Sequence, residues 1–137
     1  MAIERLSVHY RFSGATLDID ALLASARPVG AHEVWHRGES LGDGHLTRTA
    51  GVQVEIGDFV DAVDAVEAID GFLETEDGFL AAVGRAVTDE TLSVVAIALW
   101  VTDDEPVEFA VPPESLSRLA GAGVTLTATG YPTHEDE

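Results

Sequence analysis

The chain has no cysteine and no lysine among its 137 residues. Without cysteine there is no disulfide framework, no thiol nucleophile and no cysteine-based zinc site. Without lysine there is no P-loop cation, and every one of the seven cationic side chains is an arginine. Long apolar runs are missing too: the longest, Val94 to Val101, has 8 residues and is too short to span a bilayer. The start, Met1-Ala2-Ile3-Glu4-Arg5, lacks the basic-then-apolar layout of a signal peptide. With 46% hydrophobic and 23% charged residues, the composition is that of one globular domain. A chain of this length buries roughly two-thirds of the surface its unfolded form exposes, so it calls for no metal, disulfide or cofactor to fold. The expectation is a soluble, cytoplasmic domain over residues 1–132, with residues 133–137 as a flexible acidic tail. The sequence sets no oligomeric state.

What the chain has in excess is carboxylate. Twenty-five Asp and Glu give a formal charge of −18, a surface that repels phosphate backbones and anionic lipid. Nucleic acid and membrane are therefore not expected partners. The charge is unevenly spread. Residues 1–50 carry five Arg and six acids, a net of −1, whereas residues 51–137 carry two Arg and nineteen acids, a net of −17. General solvation, as in a high-salt cytoplasm or a GC-rich genome, would spread acids over both halves. A patch that steers a basic partner would concentrate them.

Leu6, Val8, Tyr10 and Phe12 alternate with Ser7, His9, Arg11 and Ser13, the period-2 pattern of a half-buried strand ending at Gly14. Thr16 or Asp18 can cap a short helix through Ile19, Leu22, Leu23 and Ala26, stopped by Pro28. His32 to Arg37 reads as a short extended segment, Gly38 to Gly44 as a loop, and Leu46 to Ile56 as a second strand. Gly57-Asp58 reads as a helix opening, with acids at 58, 61, 64, 67 and 70. At 3.6 residues per turn each step lags by about 60°, so Asp58, Asp61, Asp64, Glu67 and Asp70 wind through roughly 240° of the helix surface. With no cation between them they repel, and Phe59, Val63, Val66 and Ile69 must hold the helix inward until Gly71 breaks it. A further helix is expected over Glu76 to Ala86. Leu92 to Val101 reads as a central strand covered on both faces. Asp103-Asp104-Glu105-Pro106 reads as a turn, Val107 to Val111 as its hairpin partner, and Pro113 as the start of a helix with Leu116 and Leu119 inward. Val124 to Thr129 reads as a last strand. The expected fold is α+β: one domain, a mixed or antiparallel sheet with helices packed on one face, in the order β-α-β-β-α-α-β-β-α-β.

Four features resemble a known family. They are the N-terminal strand and helix leading to Pro28…Trp35-His36-Arg37-Gly38; a second strand followed by a long helical region; the apolar Leu92-Ser93-Val94-Val95; and Val111-Pro112-Pro113-Glu114-Ser115-Leu116…Leu119-Ala120-Gly121-Ala122-Gly123-Val124. Together they are similar to the bacterial DUF4279 domains of unknown function over nearly the whole chain. The chain departs from them in its shorter second strand and in the acid of its helical region. The resemblance implies a fold and no chemistry. Some small acidic domains of this general kind act as immunity proteins against toxins.

Two constellations could carry function. His32-Glu33-Val34-Trp35-His36 spells H-E-x-x-H, which on a helix sets two zinc ligands one turn apart with Glu33 as general base of a hydrolase. His45 could add a third ligand. Only about two turns fit between Gly30 and Gly38, and the longer form of the motif fails, with Glu39 and Gly42 in its later positions. On a strand Glu33 would point away from both histidines. The second constellation is the acid row Asp58, Asp61, Asp64, Glu67 and Asp70, with Trp35 as a candidate interface anchor, suited to a basic protein partner. A toxin or a nucleic-acid enzyme with an Arg/Lys-lined groove is the kind of partner such acids could block. This second constellation makes a non-enzymatic binding domain the expected function, with a metal-dependent hydrolase built on the H-E-x-x-H pattern, or a housekeeping domain of uncharacterised role, as the alternatives.

Overall fold

The alternation at the N-terminus becomes β1 (Ile3–Gly14), whose Leu6, Val8, Tyr10 and Phe12 are fully buried. The computed structural model describes residues 3–101 and 108–132. Within them follow α1 (Ile19–Ser25), β2 (His32–Trp35), β3 (Ala50–Phe59), α2 (Ala62–Thr75), α3 (Asp77–Ala86), β4 (Thr91–Val101), α4 (Pro113–Gly121) and β5 (Thr125–Pro132). The five strands form one sheet in the order β2-β3-β1-β4-β5. β1 lies at its centre, antiparallel to both β3 and β4, and β4 pairs in parallel with β5. The sheet is mixed because α4 carries the chain back to the starting end before β5 begins, the crossover that parallel neighbours need.

The helices cover one face of this sheet, giving an α+β single domain. Their apolar stripes meet the even-numbered side chains of β1: the Tyr10 ring lies 5.2 Å from that of Phe72 and meets Phe79 edge-on at 6.3 Å. Val52 and Val54 of β3 and Val95, Ile97 and Leu99 of β4 complete the core. Each such side chain contributes roughly 1.5–3 kcal/mol when buried, so the register of β1 is strongly held. Within that core the Tyr10 hydroxyl shares a 2.7 Å hydrogen bond with Ser93, and burial pushes the phenol pKa up to about 12 against the opposing pull of that bond.

Several sequence expectations are corrected. The helix expected from Asp58 starts later: β3 runs on to Phe59, and α2 is capped by Asp61, whose carboxylate accepts the Val63 N–H at 2.8 Å. Gly57 opens no helix; its φ of +149° takes up a bulge that lets β3 stay paired with Val8, Ser7 and Leu6. Gly71 does not end α2, since burial of Ile69, Phe72 and Leu73 around it outweighs the roughly 1 kcal/mol that glycine costs a helix. Val63 and Leu116, expected inward, are 64% and 46% exposed. Ser115 is buried in place of Leu116. The expected hairpin strand is absent over residues 108–111, which run without regular structure into α4. Val107, the turn Asp103-Asp104-Glu105-Pro106 and the tail 133–137 lie outside the described residues. None of the helices is long and apolar enough to cross a membrane, among the described residues.

Candidate functional site

α2 and α4 lie side by side on the sheet, and the segment Ala110–Pro112 closes one end of the space between them. The result is a groove of about 370 Å³ with Val63, Val66, Ala110 and Pro112 as apolar wall and Glu67, Asp70 and Glu114 as its acids. A second hollow of about 580 Å³ shares Glu67, Asp70 and Arg118 and continues past Gly71 and Glu74 toward Ala122. The helical period explains the mixture. Ala65, Ile69, Phe72 and Leu73 point into the core, so the positions that flank them, Val63, Val66, Glu67 and Asp70, border the groove.

Asp70 is the best-anchored acid of the row. Its Oδ2 accepts from the Ser115 hydroxyl at 3.0 Å and from Arg118 Nη1 at 3.1 Å, which ties α2 to α4. Its Oδ1 is shut from solvent and accepts nothing from the described residues. The expectation of an acid row with no compensating cation is corrected here: Arg118 neutralises its C-terminal member. Among the described residues Glu67 and Glu114 have no such partner, and both are exposed.

The five acids do not form one ridge. Asp61 is spent as the N-cap of α2. Asp64 and Glu67 stand exposed on the helix. Asp58 is not on the helix at all; it pairs with Ser7 in β3, on the face of the sheet away from the helices. Trp35 is separated from the acids in the same way. Its cross-strand partner is Gly51, and the absence of a Cβ there leaves the indole room to lie over the strand: a Cβ at Gly51 would sit 2.8 Å from Trp35 Cη2. The indole N–H donates to the Thr49 hydroxyl at 3.2 Å, and the Arg11 guanidinium stands over the ring at 5.8 Å. Trp35 is thus a half-buried sheet residue, not a free anchor beside the acid row.

The H-E-x-x-H pattern lies on an extended backbone, since β2 pairs antiparallel with β3. Glu33 therefore projects to the opposite face from His32, and the general-base geometry of the helical motif is absent. His32 Nδ1 meets the Gly30 carbonyl at 2.8 Å. His36 lies between Asp20 at 2.9 Å and Glu39 at 3.2 Å, hydrogen bonds that raise its pKa above the ordinary histidine value. His45 sits on the exposed loop after Gly44. His32, His36 and His45 are not brought together, and no group of three His, Asp or Glu suited to a metal occurs among the described residues.

Sequence reasoning missed Arg118 and Ser115 as partners of Asp70, and missed Glu114 as the second free acid of the groove. The only available signal was the first turn of a proline-initiated helix, where an acid and a serine are common for capping reasons alone. It missed Glu76 as well, a buried acid at 3% exposure whose two carboxylate oxygens accept the N–H groups of Val29 and Gly30, each at 2.8 Å. The chain matches no family model, no curated protein and no solved structure.

Proposed function

We propose that this protein is a small acidic binding domain that holds a basic segment of another protein in the groove between α2 and α4. The observation that carries the proposal is the combination of an apolar wall, Val63, Val66 and Pro112, with the exposed carboxylates of Glu67 and Glu114 at its edge. An arginine or lysine side chain is amphipathic in the same sense, an apolar stem ending in a cation. The stem can lie on the valines while the head reaches a carboxylate, and a guanidinium can take one bidentately. The net of −17 over residues 51–137 adds long-range attraction, which raises the association rate for a basic partner and excludes acidic ones. In a narrower form, the bound segment is the Arg/Lys-lined groove of a toxin or nucleic-acid enzyme, and the domain inhibits by standing where phosphate would bind.

The test is capture of partners from the native cell at low and high salt, followed by titration of the captured protein against wild type and a Glu67→Gln, Glu114→Gln double variant. A basic partner should be held at low salt and released as salt rises, with affinity at least tenfold weaker for the double variant, about 1.4 kcal/mol. Equal affinity of the two proteins for the partner refutes the groove as its seat.

A further inference from the structure

The helices all pack on one side of the sheet, and the other side carries a residue pattern that a solvent-facing strand does not need. On β4 every outward position is apolar: Leu92, Val94, Ala96, Ala98 and Trp100. Their alternates Val95, Ile97 and Leu99 are already buried under the helices. A strand apolar on both faces is characteristic of sheets covered on both faces. Here the outward face is only half-buried by its neighbours, and Leu92 stands 65% exposed at its end.

The charges on this face are arranged by strand. β1 presents Arg5, His9 and Arg11, while β3 presents Gln53, Glu55 and Asp58. Arg5 lies over the Trp100 ring at 4.1 Å, and that ring stacks on Tyr131 at 5.5 Å, so the face is ordered by its own contacts. A basic partner would meet Arg5 and Arg11, and a phosphate backbone would meet Glu33, Glu55 and Asp58. A face bearing two arginines on one strand beside two carboxylates on the next is complementary to itself when the strands are exchanged. A twofold axis parallel to the strands, between β1 and β3, keeps each residue at its level, so it lays His9 of one copy over Glu55 of the other and sets Arg11 and Arg5 each one strand step from Glu55 and Asp58. The same operation lays Trp35 over Leu92.

We infer that the open face of the sheet is the interface with a second copy of this chain, two sheets packed face to face with the helices outside. Alanines 96 and 98 keep the strand low enough for sheets to approach to about 10 Å. Under this operation β5 overhangs, and the four opposed strands, spaced about 4.8 Å apart and about eight residues long with β2 half that, present roughly 450 Å² per copy, the size of a weak, reversible interface. Two copies each carrying −18 repel at long range, whereas the Arg–carboxylate contacts and apolar strip act at short range. Salt screens the first far more than the second, so the dimer strengthens as salt rises. That dependence is opposite in sign to the one expected for a basic partner in the α2/α4 groove, which lies on the other side of the molecule and stays free in the dimer.

Sedimentation velocity on the whole chain, at about 0.05 M and about 2 M NaCl, tests this for wild type, Leu92→Asp and Ala96→Arg. Wild type should move from 14.5 kDa toward twice that mass as salt rises. Both variants should remain at the monomer mass while keeping the wild-type circular dichroism, since both side chains point outward. The dimer must also survive Glu67→Gln on the helical layer. Wild type that stays monomeric at every salt, variants that dimerise as wild type does, or a dimer abolished by Glu67→Gln overturns the inference.

Discussion

Glu76 sits where α2 passes into α3, and its removal should be the most informative single perturbation of the fold. Its backbone serves both helices: the N–H donates to the Phe72 carbonyl at 2.9 Å and the carbonyl accepts from Leu80 at 2.8 Å. A substitution at this position keeps both of those bonds. What it loses is the carboxylate, which at 3% exposure takes the N–H groups of Val29 and Gly30 and thereby fastens the segment leading into edge strand β2. A hydrogen bond to a charged group contributes about 1.5–3 kcal/mol. Val29 is largely exposed, so its freed N–H can find water and the loss there is smaller. Glu76→Ala should therefore cost about 2–3 kcal/mol. With an unfolding entropy of about 2.1 cal/mol/K per residue over 137 residues, the melting temperature should fall by roughly 7–10 °C. Glu76→Gln fills the same space with one acceptor and one donor, so one bond is lost and the cost is about 1–2 kcal/mol. Urea unfolding monitored by circular dichroism gives the two energies. Amide exchange gives the location, because Val29 and Gly30 should lose protection before the core strands do. An alanine variant within about 0.5 kcal/mol of wild type, or unchanged exchange at those two amides, would refute the anchoring role.

Two further predictions concern the two faces of the sheet. Tyr10 keeps its proton in the folded state to about pH 12, whereas the unfolded chain releases it near 10, so its contribution to stability is intact below pH 10 and falls as pH rises through 12. The loss reaches about 2.7 kcal/mol at most, and the difference in unfolding energy between pH 8 and pH 11 should be smaller for Tyr10→Phe than for wild type; equal differences would remove the phenol as the cause. On the outer face, Gly51→Ala places a Cβ 2.7 Å from the Phe12 carbonyl and against the Trp35 ring. It should cost about 1–3 kcal/mol and shift Trp35 emission to the red in a Trp100→Phe background, and unchanged emission with unchanged stability would show that the indole does not depend on that glycine.

Elements whose signal is local were readable from the sequence. β1 announces itself by strict alternation, α1 by its Asp18 cap and α4 by Pro113, and each forms where those signals put it. The beginning of α2 was not readable, because Gly57-Asp58 is as good a helix start as Asp61 when only neighbours are counted. β1 decides between them: its backbone at Leu6 to Val8 takes up the hydrogen bonds of β3 through Phe59, and the helix must wait. The glycine at 71 misled for a related reason, since the burial that carries α2 past it comes from β1 and β3. The site was half readable. Glu67 and Asp70 stood out by spacing, but the groove needs Pro112 and, from α4, Glu114 and Arg118, more than forty residues away along the chain.

By itself the sequence determined the class of the molecule: one α+β domain without thiol or lysine chemistry, its carboxylates gathered in residues 51–137. Those properties follow from composition and short-range periodicity, which need no knowledge of which strands are neighbours. Only the tertiary structure decided which carboxylates are free. It used Asp61 as a cap, gave Asp70 to Arg118, moved Asp58 to the far face and left Glu67 beside Glu114 over an apolar wall. It also decided that β4, apolar on both sides, is covered by helices on one side alone. Both outcomes depend on strand order and helix packing, interactions between residues far apart in the chain, and no local pattern of charge or hydrophobicity encodes them.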